Sequence, residues 1–168
     1  YSIWLFALHP YQKTRITAFL DPYNDPKGSG YNIIQSKIAI GSGYFFGNGL
    51  GKGSQSNNGF LPEPHNDFAF AAFTEQFGFA GISAVMALGM IIISRILYIG
   101  SRTISNFGKL FSVGLAIFIG SHMFISAGVN IGLLPVTGLS FPFLSYGGSH
   151  LISLMIGLGI LQSIKRYG

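Results

Sequence analysis

Cysteine is absent from the 168 residues, which excludes disulfides and thiolate metal sites but does not indicate a compartment. Charge is scarce: Asp, Glu, Lys and Arg make up 9% of the chain, against about 25% in an ordinary globular domain. So few charges cannot cover a water-facing surface, and much of that surface is expected to face lipid. Acids stop early: all five (Asp21, Asp25, Glu63, Asp67 and Glu75) precede Gln76, and none follows. No basic segment leading to a cleavage site opens the chain. It begins at Tyr1 and is expected to be a stretch of a longer protein.

What is present is apolar and small, with 16 Phe and 24 Gly. The net charge of +5 raises nucleic acid as a partner, but the ten basic residues form no run of the kind that tracks phosphates. Nucleic acid is therefore excluded, and the basic excess reads as membrane topology.

Residues 1–9 read as the end of a transmembrane helix, with Tyr1 and Trp4 suited to an interface and His9-Pro10 closing it. Residues 10–67 form a long polar loop holding five of the seven prolines, with one amphipathic helix expected around Ile33–Ile40. Loops of this length are usually functional or disordered, and the interleaved Tyr31, Tyr44, Phe45, Phe46 and Phe60 argue for order. From Gln76 to Ser94 there are 19 residues without a charge, and a transmembrane helix is expected over 68–98. A link over 99–109 carries Arg102 and Lys109. From Leu110 to Ile164 there are 55 residues without Asp, Glu, Lys or Arg. Pro135 and Pro142 divide this run into a helix at 110–133, a loop at 134–149 and a helix with its polar end at 150–168. Arg95, Arg102 and Lys109 mark one end of a pair of spans, and Lys165 and Arg166 mark the other. By the positive-inside rule both are cytoplasmic, so the 10–67 and 134–149 loops face outward together. The fold class is an all-α polytopic membrane protein.

Gly47-Asn48-Gly49-Leu50-Gly51-Lys52-Gly53-Ser54 looks like a phosphate loop, but Gly53 separates Lys52 from Ser54, and the dinucleotide spacing fails too. Tight turns account for these glycines. Glu63-Pro64-His65-Asn66-Asp67 packs two carboxylates and an imidazole in front of a membrane span. Partial desolvation of Asp67 there would suit a general base. Equally, Asn66 or Asp67 would serve as a helix cap. Glu63 and His65 have donor atoms for a metal but no ligand spacing. His122 lies inside a span, as a functional group or as a neutral partner to a neighbouring helix. His9 and His150 read as interfacial. Lys13, Arg15, Lys27, Lys37 and Lys52 are either scattered solvated charges or cations for a pyrophosphate-bearing lipid. Lys37 stands out because its surroundings, Ile33–Ile40, are mostly apolar.

Several stretches in order resemble the shape, elongation, division and sporulation family that includes RodA and FtsW. They are Pro10-Tyr11-Gln12 with Arg15; Phe19-Leu20-Asp21-Pro22; Gly30 through Gly43; Phe60-Leu61-Pro62-Glu63 with His65 and Asp67-Phe68; Glu75 with Gly78; Gly132-Leu133-Leu134-Pro135; and Ser145-Tyr146-Gly147-Gly148-Ser149. The resemblance spans nearly the whole chain. It implies the C-terminal helices of a roughly ten-helix bundle with a large extracytoplasmic loop, in the bacterial cytoplasmic (inner) membrane.

The activity implied is a glycosyltransferase that joins lipid II into glycan strands and releases undecaprenyl pyrophosphate, with a class B penicillin-binding protein as partner. Asp67 matches the family's essential aspartate, with the role of general base. Substrate-binding roles are implied for Glu63, His65, Lys37, Gln35, Ser36, Arg15, Ser145 and Tyr146. No metal ligands are assigned, although a divalent cation would assist by neutralising pyrophosphate. Asn66 stands where the family usually has Thr, and Glu75-Gln76 where it usually has two acids, which puts a paired carboxylate in doubt. Gln35–Ile40 is more similar to RodA and Gly138–Phe143 to FtsW, with the elongation branch slightly favoured. The fragment alone is expected to be inactive. Two rivals stand beside this reading. A lipid flippase or transporter would keep its ionisable groups at mid-membrane. A scaffold would dock a partner helix on its glycine-rich spans.

Overall fold

The computed structural model describes residues 15, 19, 21–22, 28–57, 59–61 and 65–167. The expected helix end at 1–9, together with Lys13, Lys27 and Glu63, lies outside them. Among the described residues Arg15 and Phe19 are helical, and five helices are delimited in order: α1 (Ser29–Ser42), α2 (Ser54–Asn57), α3 (Ala69–Arg102), α4 (Asn106–Asn130) and α5 (Gly148–Tyr167). The described residues contain no strand. Helices α3 and α4 are long and apolar enough to cross a membrane. The expected third span is helical as α5 but does not meet the same measure.

Element bounds differ from the hydropathy reading where charge had set them. Helix α3 runs to Arg102 and α4 starts at Asn106, so the expected 99–109 link shrinks to three residues. Charged side chains end an apolar run, but they do not end a helix. Thr103 turns extended at φ −76°, ψ 138°. Ser105 then caps α4 by accepting from the Gly108 N–H at 3.3 Å. The amphipathic helix expected around Ile33–Ile40 is longer, spanning all of α1.

Helix α3 is broken at Gly78, where φ is 70° and ψ −170°, a conformation that glycine adopts without steric cost. The break frees backbone groups that must find partners. The 44–49 segment supplies them. Phe79 N–H donates to the Tyr44 carbonyl and Ala80 N–H to that of Phe45, both at 3.0 Å. In return, Asn48 and Gly49 N–H groups donate to the Glu75 and Gln76 carbonyls, also at 3.0 Å. Residues 79–102 still exceed the roughly 20 that a crossing needs. The 69–77 piece is thus not needed for a crossing of that length.

The core has two parts. One, with Ile82, Ile96, Ile119, Met123, Leu154 and Leu161, joins α3, α4 and α5. The other, with Ile33, Ala39, Leu61, Phe68, Ala71, Val129 and Val136, joins α1 to the first turns of α3 and the end of α4. The second core fixes α1 and Leu61 against the start of α3 and the end of α4.

Candidate active site at the 131–147 loop

Four expected site residues meet one segment, the 131–147 loop between α4 and α5. Lys37 crosses it at Gly132, where a Cβ would lie 2.2 Å from the Lys37 Cε and 2.6 Å from its Nζ. Arg15 donates to the Val136 carbonyl at 2.7 Å. Asp67 faces Gly138, where a Cβ would stand 3.8 Å from its Oδ2. His65 accepts at its carbonyl from the Tyr146 N–H at 2.7 Å. Contacts from positions 15, 37, 65 and 67 therefore fall on one strip of chain.

A cleft of about 310 Å³ opens beside this strip, lined by His65, Ala69, Ala72, Phe73, Gln76, Leu144, Ser145 and Tyr146. Three of the expected binding residues, His65, Ser145 and Tyr146, thus share one wall. Ser145 turns its hydroxyl inward, accepting from the Phe141 N–H at 2.9 Å, whereas the Tyr146 side chain is exposed. Two expected residues sit elsewhere. Ser36 is fully buried, and its hydroxyl donates to the Asn130 carbonyl, so in this structure it locks α1 to the end of α4 and presents no surface to a ligand. Gln35 is half-buried, and its Oε1 has no partner among the described residues.

Helix α3 does not rely on the expected cap. Its N-cap position falls on Phe68, which offers no side-chain hydrogen bond. The Ala71 N–H is taken instead by Asn130 Oδ1 at 3.1 Å. Asn130 Nδ2 donates to the Asp67 carbonyl at 3.0 Å and to the Ser126 carbonyl at 2.8 Å. Asn130 is fully buried and satisfies groups from three segments, which holds the backbone of Asp67 in place. Its signal in the sequence was the single asparagine of a charge-free run, a position where polar groups are costly unless paired.

Glu75 was the remaining acid of interest, and it is fully buried. Its Oε1 accepts from the Gln55 N–H at 2.8 Å and its Oε2 from the Ser56 N–H at 2.9 Å. The carboxylate therefore anchors the start of α2. Among the described residues no group of three or more His, Cys, Asp or Glu could hold a metal ion.

His122 and His150 form a second polar cluster. Their rings stack at 4.9 Å with an interplanar angle of 15°, and Phe118 lies 4.4 Å from His122. His122 thus packs on a neighbouring helix through its ring face, with His150 as its partner.

The sequence pattern of the FtsW/RodA/SpoVE family, described as cell cycle proteins, matches residues 1–168. The chain is 47% identical over 165 residues to the peptidoglycan glycosyltransferase MrdB of Escherichia coli K12, covering 98% of this chain and 45% of that protein. It is 45% identical over 160 residues to a probable peptidoglycan glycosyltransferase FtsW of Thioalkalivibrio, covering 94% and 40%. With stage V sporulation protein E of Bacillus subtilis the identity is 42% over 158 residues, covering 94% and 43%. Among solved structures, a chain of a peptidoglycan synthase complex that coordinates polymerization and crosslinking superposes with a TM-score of 0.74 at 34% identity, covering 98% of this chain and 44% of that one. RodA of Thermus thermophilus shares the fold at a TM-score of 0.59 and 22% identity, covering 100% and 59%. The chain spans less than half the length of these curated relatives. With its whole length matched, and with two helices long and apolar enough to cross a membrane, this chain belongs to the FtsW/RodA/SpoVE family.

Proposed function

We propose that this chain forms the catalytic half of a peptidoglycan glycosyltransferase that polymerises lipid II into glycan strands in the bacterial inner membrane, beside a class B penicillin-binding protein. The observation that carries the reading is the convergence of Lys37, Arg15, Asp67 and His65 on the 131–147 loop, next to an open cleft. Relatives named as peptidoglycan glycosyltransferases support it, as does the likeness to a peptidoglycan synthase complex. The elongation branch remains the favoured one.

The chemistry asks for one base and several cations. The acceptor sugar hydroxyl gives its proton to the Asp67 carboxylate as its oxygen attacks the donor's anomeric carbon. A carbon–oxygen bond forms there, and the bond to the pyrophosphate oxygen breaks. The leaving undecaprenyl pyrophosphate carries away the electron pair. Lys37 and Arg15 are the cations placed to favour that departing charge. His65, Ser145 and Tyr146 belong to the cleft wall that receives the sugars. Glu63 lies next to that wall in sequence, and Gln35 lies close to Lys37. A divalent cation would lower the cost of pyrophosphate departure, and no step above depends on one.

The test is polymerisation of purified lipid II by the full-length protein with its partner, comparing wild type with Asp67→Asn. Asparagine keeps the shape but cannot take a proton, so polymer should fall by at least about 10²-fold. Undiminished polymer from the variant overturns Asp67 as base. The second reading, a lipid flippase or transporter, draws on the stacked His122–His150 pair inside the bundle. Absence of polymer from wild type, with lipid translocation lost in His122→Leu, would favour it.

A further inference from the structure

We propose that the cleft between α3 and α5 at the basic end of the bundle is a binding site for an anionic phospholipid, with its headgroup phosphate among Arg95, Arg102 and Lys165. The cleft measures about 220 Å³ and is lined by these three cations with Tyr98, Ile99 and Thr103. Arg95 and Arg102 are two helical turns apart on one face of α3. The Tyr98 ring stands between them, with the two guanidinium carbons 5.4 Å and 5.3 Å from its centroid. Cation–π contact with a shared ring holds both forks toward the same space. Lys165 closes the cleft from the last turn of α5.

No Asp or Glu occurs from residue 76 to 168, so no side-chain carboxylate in α5 or in the part of α3 beyond Gln76 neutralises the three charges. An anion from outside is the complementary occupant. Planar, forked guanidinium groups suit a phosphate's oxygens.

The neighbouring surface selects a lipid over a free phosphate. An apolar groove of about 300 Å³ adjoins the cleft and shares Arg95 and Ile99 with it. It continues between α3 and α5 past Ile92, Ile96, Leu158 and Leu161. A charged mouth leading into an apolar channel of this kind matches a headgroup with an acyl chain below it. Basic pockets between membrane helices on the cytoplasmic side take anionic headgroups in the same way.

The experiment is native mass spectrometry of the full-length protein, released from detergent holding equal amounts of phosphatidylglycerol and phosphatidylethanolamine. Wild type should retain phosphatidylglycerol in preference. The triple variant Arg95→Gln, Arg102→Gln, Lys165→Gln should bind it on the order of 100-fold more weakly. Lys109→Gln, a basic residue on the same side but outside the cleft, should leave retention unchanged. Added phosphatidylglycerol should also raise the Tm of wild type and not that of the triple variant. Equal retention by wild type and triple variant would overturn the site, and so would a helix of the full-length chain found seated in the groove. Displacement of the lipid by inorganic phosphate alone would overturn the lipid assignment.

Discussion

Asn130 Nδ2 donates to the Asp67 carbonyl at 3.0 Å while Asn130 Oδ1 accepts from the Ala71 N–H at 3.1 Å. One buried amide thus fixes both the Asp67 backbone, just ahead of the Phe68 N-cap, and the first turn of α3. The proposed base gains its position from a helix end 63 residues away in the chain.

Removing that amide should matter more for position than for chemistry. Asn130→Ala leaves a buried N–H and two carbonyls without this partner, each loss costing about 1–3 kcal/mol. Tm should fall, and polymerisation should drop by up to about 10²-fold through misplacement of Asp67. Thermal unfolding in detergent and a lipid II assay, run together, check this. Full activity in the variant would break the link between Asn130 and Asp67.

Glu75 is expected to act structurally. Glu75→Gln keeps the volume, but its amide nitrogen cannot accept from an N–H, so the Gln55 or Ser56 N–H loses its partner. The cost is about 1–3 kcal/mol. Hydrogen exchange should rise over residues 53–61 and stay unchanged in α4. Protection equal to wild type would mean the anchor is dispensable.

The break in α3 should tolerate no side chain. Gly78→Ala forces φ of 70° on an L residue and sets its Cβ 2.3 Å from the Gly47 nitrogen and 2.5 Å from the Phe45 oxygen. The expected loss is about 3 kcal/mol or more. Gly114→Ala, with nothing within 4 Å of the new Cβ, serves as the control and should be neutral. Tm measurements on both variants decide the matter, and similar values for the two would contradict the close packing at Gly78.

Lys37 and Gly132 offer a test of the cation's role. Lys37→Met keeps the stem and removes the charge, so turnover should fall with lipid II, because the departing pyrophosphate loses a counter-charge worth about 1.5–3 kcal/mol. Gly132→Ala places a Cβ 2.2 Å from the Lys37 Cε and should push the ammonium aside, with a similar loss. Neither change should alter the exposure of Asp67 to chemical modification. A Lys37→Met enzyme as fast as wild type would remove Lys37 from the site.

Composition and charge placement alone determined that this chain is helical and lies in a membrane, because a chain with 9% charged residues has no other way to cover its surface. The order of motifs fixed the family, and Asp67 stood out as a candidate because it lies where polar loop meets apolar span. The tertiary structure decided what adjacency in sequence cannot encode. Ser36 and Lys37 are neighbours, yet one is buried against Asn130 and the other crosses Gly132, since successive helix positions point about 100° apart. Glu75 shares its sign and type with a catalytic acid, and only the two N–H groups of α2 aimed at it reveal an anchor. The break at Gly78 depends on hydrogen-bond partners from 44–49, roughly thirty residues upstream. Each of these outcomes is set by long-range pairing of polar groups that cannot be left unsatisfied in an apolar interior.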